Sequence, residues 1–210
     1  MHPNPIYRPE GRARDLAFAS ARGFGTLTVA AGDAAPMISH IPFLTVQGGT
    51  RVEAHIVRSN PIARALAGGS RAARLAVIGP DGFISPDWYG IEDQVPTWNY
   101  VAVHLTGRLS LAPADGLRDH LSRLSEHFET MLAPKPIWRL SKMTADALAR
   151  LERMILPVVL EVEAIDSTWK LTQNKSEAAR LGAADGLERG SPGAEVAALA
   201  AMMRDPPAGA

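Results

Sequence analysis

The chain has 210 residues, 46% hydrophobic and 21% charged, with 22 Lys and Arg against 22 Asp and Glu. This balance lacks the basic surplus that phosphate-driven nucleic-acid binding needs. The absence of cysteine excludes disulfides, thiolate nucleophiles and Cys-ligated zinc or iron–sulfur centres.

Arg12 to Arg22 is Ala-rich, carries Leu16 and Phe18, and reads as a short helix. The runs 25–30 and 36–46 are β-rich and flank a turn at Ala31-Gly32-Asp33-Ala34. Gln47 to Thr50 is a second turn, and Arg51 to Val57 a third strand. A helix is expected over Pro61 to Ala67, with Asn60 as N-cap, Pro61 first and Gly68-Gly69 ending it. Runs 74–79 and 83–89 read as two strands around Pro80-Asp81-Gly82, followed by a long strand from Asn99 to Leu111. Leu117, Leu121, Leu124 and Phe128 then recur at helical spacing behind Asp115 as cap. A second helix begins near Thr144 with Leu148, Leu151 and Ile155. In the strand 157–165, Val158, Leu160 and Val162 point one way, and Glu161 and Glu163 the other. Ser191-Pro192 reads as the start of a helix to about Met203, with 204–210 frayed.

The expectation is an α+β protein: one closed β-barrel with peripheral helices over residues 1–190, a helical pair inserted at about 114–155, and a C-terminal helix and tail over 191–210. Met1 to Pro5 lacks a basic region followed by an apolar run, and no apolar stretch approaches the roughly 20 residues of a membrane helix. The expected location is the cytoplasm, which the missing cysteines also suit.

Three segments place polar residues where a core would not. In His55-Ile56-Val57-Arg58-Ser59-Asn60-Pro61 a strand runs into a helix N-terminus, a setting for a phosphate, or an ordinary capped turn with a solvated Arg. Ile84 to Tyr89 and Val95 to Tyr100 gather two Trp and two Tyr, a platform for a planar heterocycle, or a core or dimer contact. Trp169 to Lys175 is dense in donors that suit a phosphate or a flavin edge, or is a solvated loop. His40, His55 and His104 fall on strands, and His120 and His127 on the first inserted helix, without zinc-type spacing; no metal site is expected. GxSxG, GxGxxG and Walker-type motifs are absent.

The strings ISPDWY, VPTWNYVAVHLTG, HIVRSNP and WKLTQNKSEAARLG resemble the signature segments of the PaiB-type FMN-binding proteins, over about Tyr7 to Met203. The resemblance implies a flavin-reductase-like split barrel, FMN at a homodimer interface, and a family name of negative transcriptional regulator. It places FMN contacts on His55, Arg58, Ser59 and Asn60, on Thr97, Trp98 and Asn99, and on Lys170, Gln173 and Asn174. Thr172 stands where the family often has Ser, which keeps the hydroxyl. Three functions suit such a chain: a flavin-binding regulator acting through flavin or a partner, an FMN-dependent oxidoreductase using a nicotinamide cofactor, and a haem-binding relative. DNA contact rests on the family name alone, since the charge balance does not support it.

Overall fold

The computed structural model describes residues 1–9 and 11–207. Its helices are α1 (Arg12–Arg22), α2 (Pro61–Leu66), α3 (Leu117–Thr130), α4 (Ala145–Glu152), α5 (Glu177–Arg189) and α6 (Val196–Arg204). Its strands are β1 (Phe24–Val29), β2 (Met37–Val46), β3 (Arg51–Val57), β4 (Arg71–Ile84), β5 (Thr97–Leu111), β6 (Ile155–Lys170) and β7 (Gly193–Ala194). The architecture is α+β, a six-stranded antiparallel barrel with one extra strand. Residues 16–76 and 105–164 form one compact unit; residues 1–15, 77–104 and 165–210 form the other.

The first unit contains the barrel. Its strands follow the order β1-β2-β3-β6-β5-β4, and β4 returns to β1 to close the ring. The closing register sets Thr26 opposite Ala76 and Val29 opposite Ala73. On β3 and β6, Arg51 lies opposite Glu161 and Val57 opposite Ile155. Alternate residues point inward, so Leu27, Ile41, Val52, Ala54, Leu75, Leu109, Val158 and Leu160 meet at the centre. At Gly107 the strands approach so closely that a Cβ would lie 1.8 Å from the Glu161 carbonyl oxygen; only glycine fits.

Helices α3 and α4 form the expected insertion between β5 and β6. Leu117, His120 and Leu124 are the buried face of α3, and Arg118 forks onto both oxygens of Glu152 at 2.8 Å. Asp115 does not cap α3. It lies in a short 3₁₀ turn, Ala114–Gly116, that runs directly into the helix, and Gly116 takes the cap position without a side-chain bond. Thr144 does cap α4. Ile155 belongs to β6, where pairing with Val57 outcompetes its helical spacing. β6 is also longer than expected, and Val159 is buried beside Val158 and Leu160, so the inward–outward alternation holds only in part.

The expected strands 74–79 and 83–89 are one strand, β4, which contributes to both units and is followed by a 3₁₀ turn at Pro86–Tyr89. Pro80-Asp81-Gly82 resembles a turn in isolation but is held straight by its partners. Asp81 and Gly82 pair with Ala194 and Gly193, and a Cβ on Gly82 would stand 2.6 Å from Leu187. Ser191-Pro192 starts no helix: the Ser191 hydroxyl donates to the Phe83 carbonyl at 2.6 Å, and α6 begins only after Glu195. Helix α5, absent from the sequence reading, has Gly182 and Gly186 against Trp88, where a Cβ on Gly186 would stand 2.2 Å from the indole. Asp205 to Pro207 are not helical, and the rest of the expected frayed tail lies outside the described residues. No helix among the described residues is long and apolar enough to cross a membrane.

Candidate functional site

The ten expected contact residues fall into two groups, one in each unit. In the barrel unit, β3 delivers His55, Arg58, Ser59 and Asn60 to the start of α2. Asn60 is spent on structure: its Oδ1 accepts from the Ile62 amide at 2.9 Å, and its Nδ2 donates to Ser39 Oγ at 3.2 Å. With six residues and its leading amide already capped, α2 offers an anion less than expected. Ser59 is exposed. Arg58 donates through Nε to the Arg153 carbonyl at 3.0 Å and through Nη2 to the Ile155 carbonyl at 3.4 Å, leaving Nη1 uncommitted. It borders a cleft of about 570 Å³ that Arg118, Arg153, Leu117 and Leu156 also line.

His55 reaches its Nδ1 to within 3.2 Å of Nε2 of His120 on α3. Burial holds both imidazoles below the usual histidine range, His120 at about 4, with the neighbouring His55 as a second cause there. His120 is only 4% exposed, and its Nδ1 has no hydrogen-bond partner among the described residues.

In the second unit, β5 and β6 bring the other two expected segments together as rungs. Lys170 Nζ donates to Thr97 Oγ1, and Asn99 Nδ2 donates to Thr172 Oγ1 at 2.7 Å. Asn99 is 1% exposed, and its Oδ1 is buried without a hydrogen-bond partner among the described residues. Burial lowers the pKa of Lys170, whose ammonium lies 6.0 Å from the Tyr7 ring centre. Gln173 braces its own turn, accepting from the Leu171 amide at 2.7 Å and donating to the Trp169 carbonyl. Asn174 is exposed. Trp98 is 47% exposed and meets Phe83 edge to face.

Four further residues join this group: Tyr89, Thr172 and Lys175 lie in segments the sequence had singled out without being assigned as contacts, and Tyr7 carried no signal. Tyr7 and Tyr89 are buried, which raises the pKa of both. Tyr89 bonds to the Thr172 side chain, and Lys175 lies 4.5 Å over its ring and donates to Gln94. Thr172 takes a left-handed backbone (φ 65°), which lets its hydroxyl turn back toward Asn99. Within the string 169–175 the residue types alone did not separate ring-facing groups from turn braces. Trp88 joins the packing of α5 and not this group.

A closed six-stranded antiparallel barrel is the architecture of the flavin-binding split barrels. Residues 1–164 match the family described as "Putative FMN-binding domain". The chain is 30% identical over 162 residues to "Protease synthase and sporulation protein PAI 2" of Bacillus subtilis (strain 168), covering 76% of each chain. It belongs to this family of FMN-binding, PaiB-like proteins, and its cofactor is FMN. Among solved structures, the FAD and heme binding protein from Mycobacterium smegmatis superposes with a TM-score of 0.56 at 20% identity, over 78% of this chain and 73% of that one. Rv2991 from Mycobacterium tuberculosis gives 0.54 at 11% identity, over 83% and 94%. At those identities the likeness is one of fold.

Proposed function

We propose that this chain is a homodimeric FMN-binding regulator of the PaiB type, which acts through the redox state of its flavin or through a protein partner. The orphaned Oδ1 of Asn99 carries the reading. A buried acceptor without a donor is costly, and the flavin imide N3–H is a donor of the right kind. Lys170, two residues from Thr172, supplies a donor suited to the adjacent carbonyls. Independently of that group, Arg58 keeps one amino group of the kind that bonds a phosphate. FMN supplies electron storage; the chain supplies positioning and electrostatics. The balance of 22 basic and 22 acidic residues argues for indirect regulation over a direct grip on DNA.

The test begins with the purified protein, which is expected to be yellow and to release FMN. A Soret band without flavin absorbance would replace this reading with a haem-binding one. Steady consumption of NADH or NADPH by the FMN-loaded protein would make it an oxidoreductase instead. Arg58→Ala should weaken FMN by about 1.5–3 kcal/mol, the value of a charge-assisted bond, and leave riboflavin nearly unaffected. Equal losses for both ligands would remove Arg58 from the phosphate.

A further inference from the structure

Strand β3 and helix α3 meet through two imidazoles. His55 Nδ1 and His120 Nε2 are 3.2 Å apart, with the rings edge to face at 69°. A hydrogen bond at that distance needs one nitrogen with a proton and one without, so the neutral pair makes the contact and a doubly protonated pair cannot.

The surroundings do little to stabilise a positive charge on either ring. From β3 come Arg51 and Glu53, from α3 Asp119 and Arg123, and from the turn before α3 Asp115; β6 contributes Pro157 and Val158 beside His120, and Glu161 toward Arg51. The one titratable residue of β2, His40, is bonded to Thr26. Glu53 and Asp119 are both bound to Arg123, at 2.6 and 2.7 Å. Neither imidazole hydrogen-bonds a carboxylate among the described residues. A proton added to Nδ1 of His120 would be a buried N–H with nothing to accept it. A cavity of about 260 Å³ adjoins His120, a path for water to that ring once α3 shifts.

We propose that the His55–His120 contact is a proton-operated latch, which fastens the helical insertion to the barrel at neutral pH and releases α3 in mildly acidic solution. The direction follows from linkage. Released and hydrated, each ring takes a proton near pH 6.5; latched, His120 resists until about 4. Stability of the latched form is therefore complete above pH 6.5 and is lost as the pH falls toward 4. Within that window each pH unit raises the ratio of released to latched molecules by up to about tenfold per histidine.

Hydrogen–deuterium exchange of the full chain, corrected for intrinsic rates, tests the latch at pH 7, 6 and 5. Opening of the α3 peptide (117–130) should rise about tenfold per pH unit while β1 and β2 remain protected. His120→Gln, which keeps hydrogen-bonding capacity without titrating in this range, should flatten that dependence, and His55→Gln should do the same. Equal pH dependence in the wild type and both variants would overturn the proposal, as would α3 opening only in step with the barrel strands. Should the variants not fold, imidazole ¹⁵N shifts of the wild type decide: a His120 midpoint below 6.5 at the pH where α3 loses protection supports the latch, and protonation near 6.5 with α3 still protected rejects it.

Discussion

Lys170 is held by two different forces. Thr97 accepts a bond from its ammonium, while burial opposes the charge and lowers its pKa. A cation so placed acts on a flavin according to where the ring lies. Near the pyrimidine edge it stabilises the reduced anionic flavin more than the oxidised form and raises the potential. Lys170→Met keeps the apolar stem and deletes the charge. The expected outcome in spectroelectrochemical titration is a potential lowered by tens of mV, about 30 mV for each 1.4 kcal/mol of differential stabilisation. An unmoved potential with weaker binding of both redox states would assign Lys170 to the phosphate. The sequence made Lys170, Thr97 and Asn99 visible as candidates, because polar residues bordered strand-like runs. It did not reveal Tyr7: an aromatic residue so far from the others in sequence looks like ordinary core until the fold buries its hydroxyl near that of Tyr89.

The elements most legible in the sequence carried their own signals: α1, β3 and the Asn60-Pro61 start of α2 lie where caps, turns and alternation place them. Those that differ depend on distant partners. β4 continues through Pro80-Asp81-Gly82 because β7 pairs across it, and α5 escapes notice because its small residues blur any apolar stripe while serving as the seat of Trp88. Gly107 is the most demanding position of this kind. The substitution Gly107→Ala would drive a methyl group into the Glu161 carbonyl, so β5 and β6 must separate. The destabilisation should reach or exceed the roughly 1–3 kcal/mol of an overpacked core. Urea denaturation checks this; a change below 0.5 kcal/mol, in order-of-magnitude terms a neutral surface change, would mean that the strands have room to part.

At the scale of the molecule, the class of fold was readable from short strands and turns, and the family from four strings. The division into two compact units was not, since β4, β5 and β6 each contribute to both without a break in sequence. Each unit leaves apolar side chains exposed: Phe24 and Ile38 on neighbouring strands of the barrel, and Ile91, Val95 and Trp98 in the other. A homodimer is the expected occupant of such surface, with an interface above roughly 2,000 Å² as obligate dimers bury. Light scattering at micromolar concentration should give twice the chain mass of 22.4 kDa, and a flavin-loaded monomer would count against it.

The closing of the barrel also constrains how the chain comes to fold. β3 has β2 beside it early, but its other edge waits for β6, which puts Arg51 opposite Glu161. Contacts so remote in sequence are slow to form, because loop-closure entropy is lost before any pairing repays it. On the ribosome, the first strands therefore emerge as an open sheet with a bare edge, exposed to chaperones and to sticking until the segment beyond the helical insertion has been made.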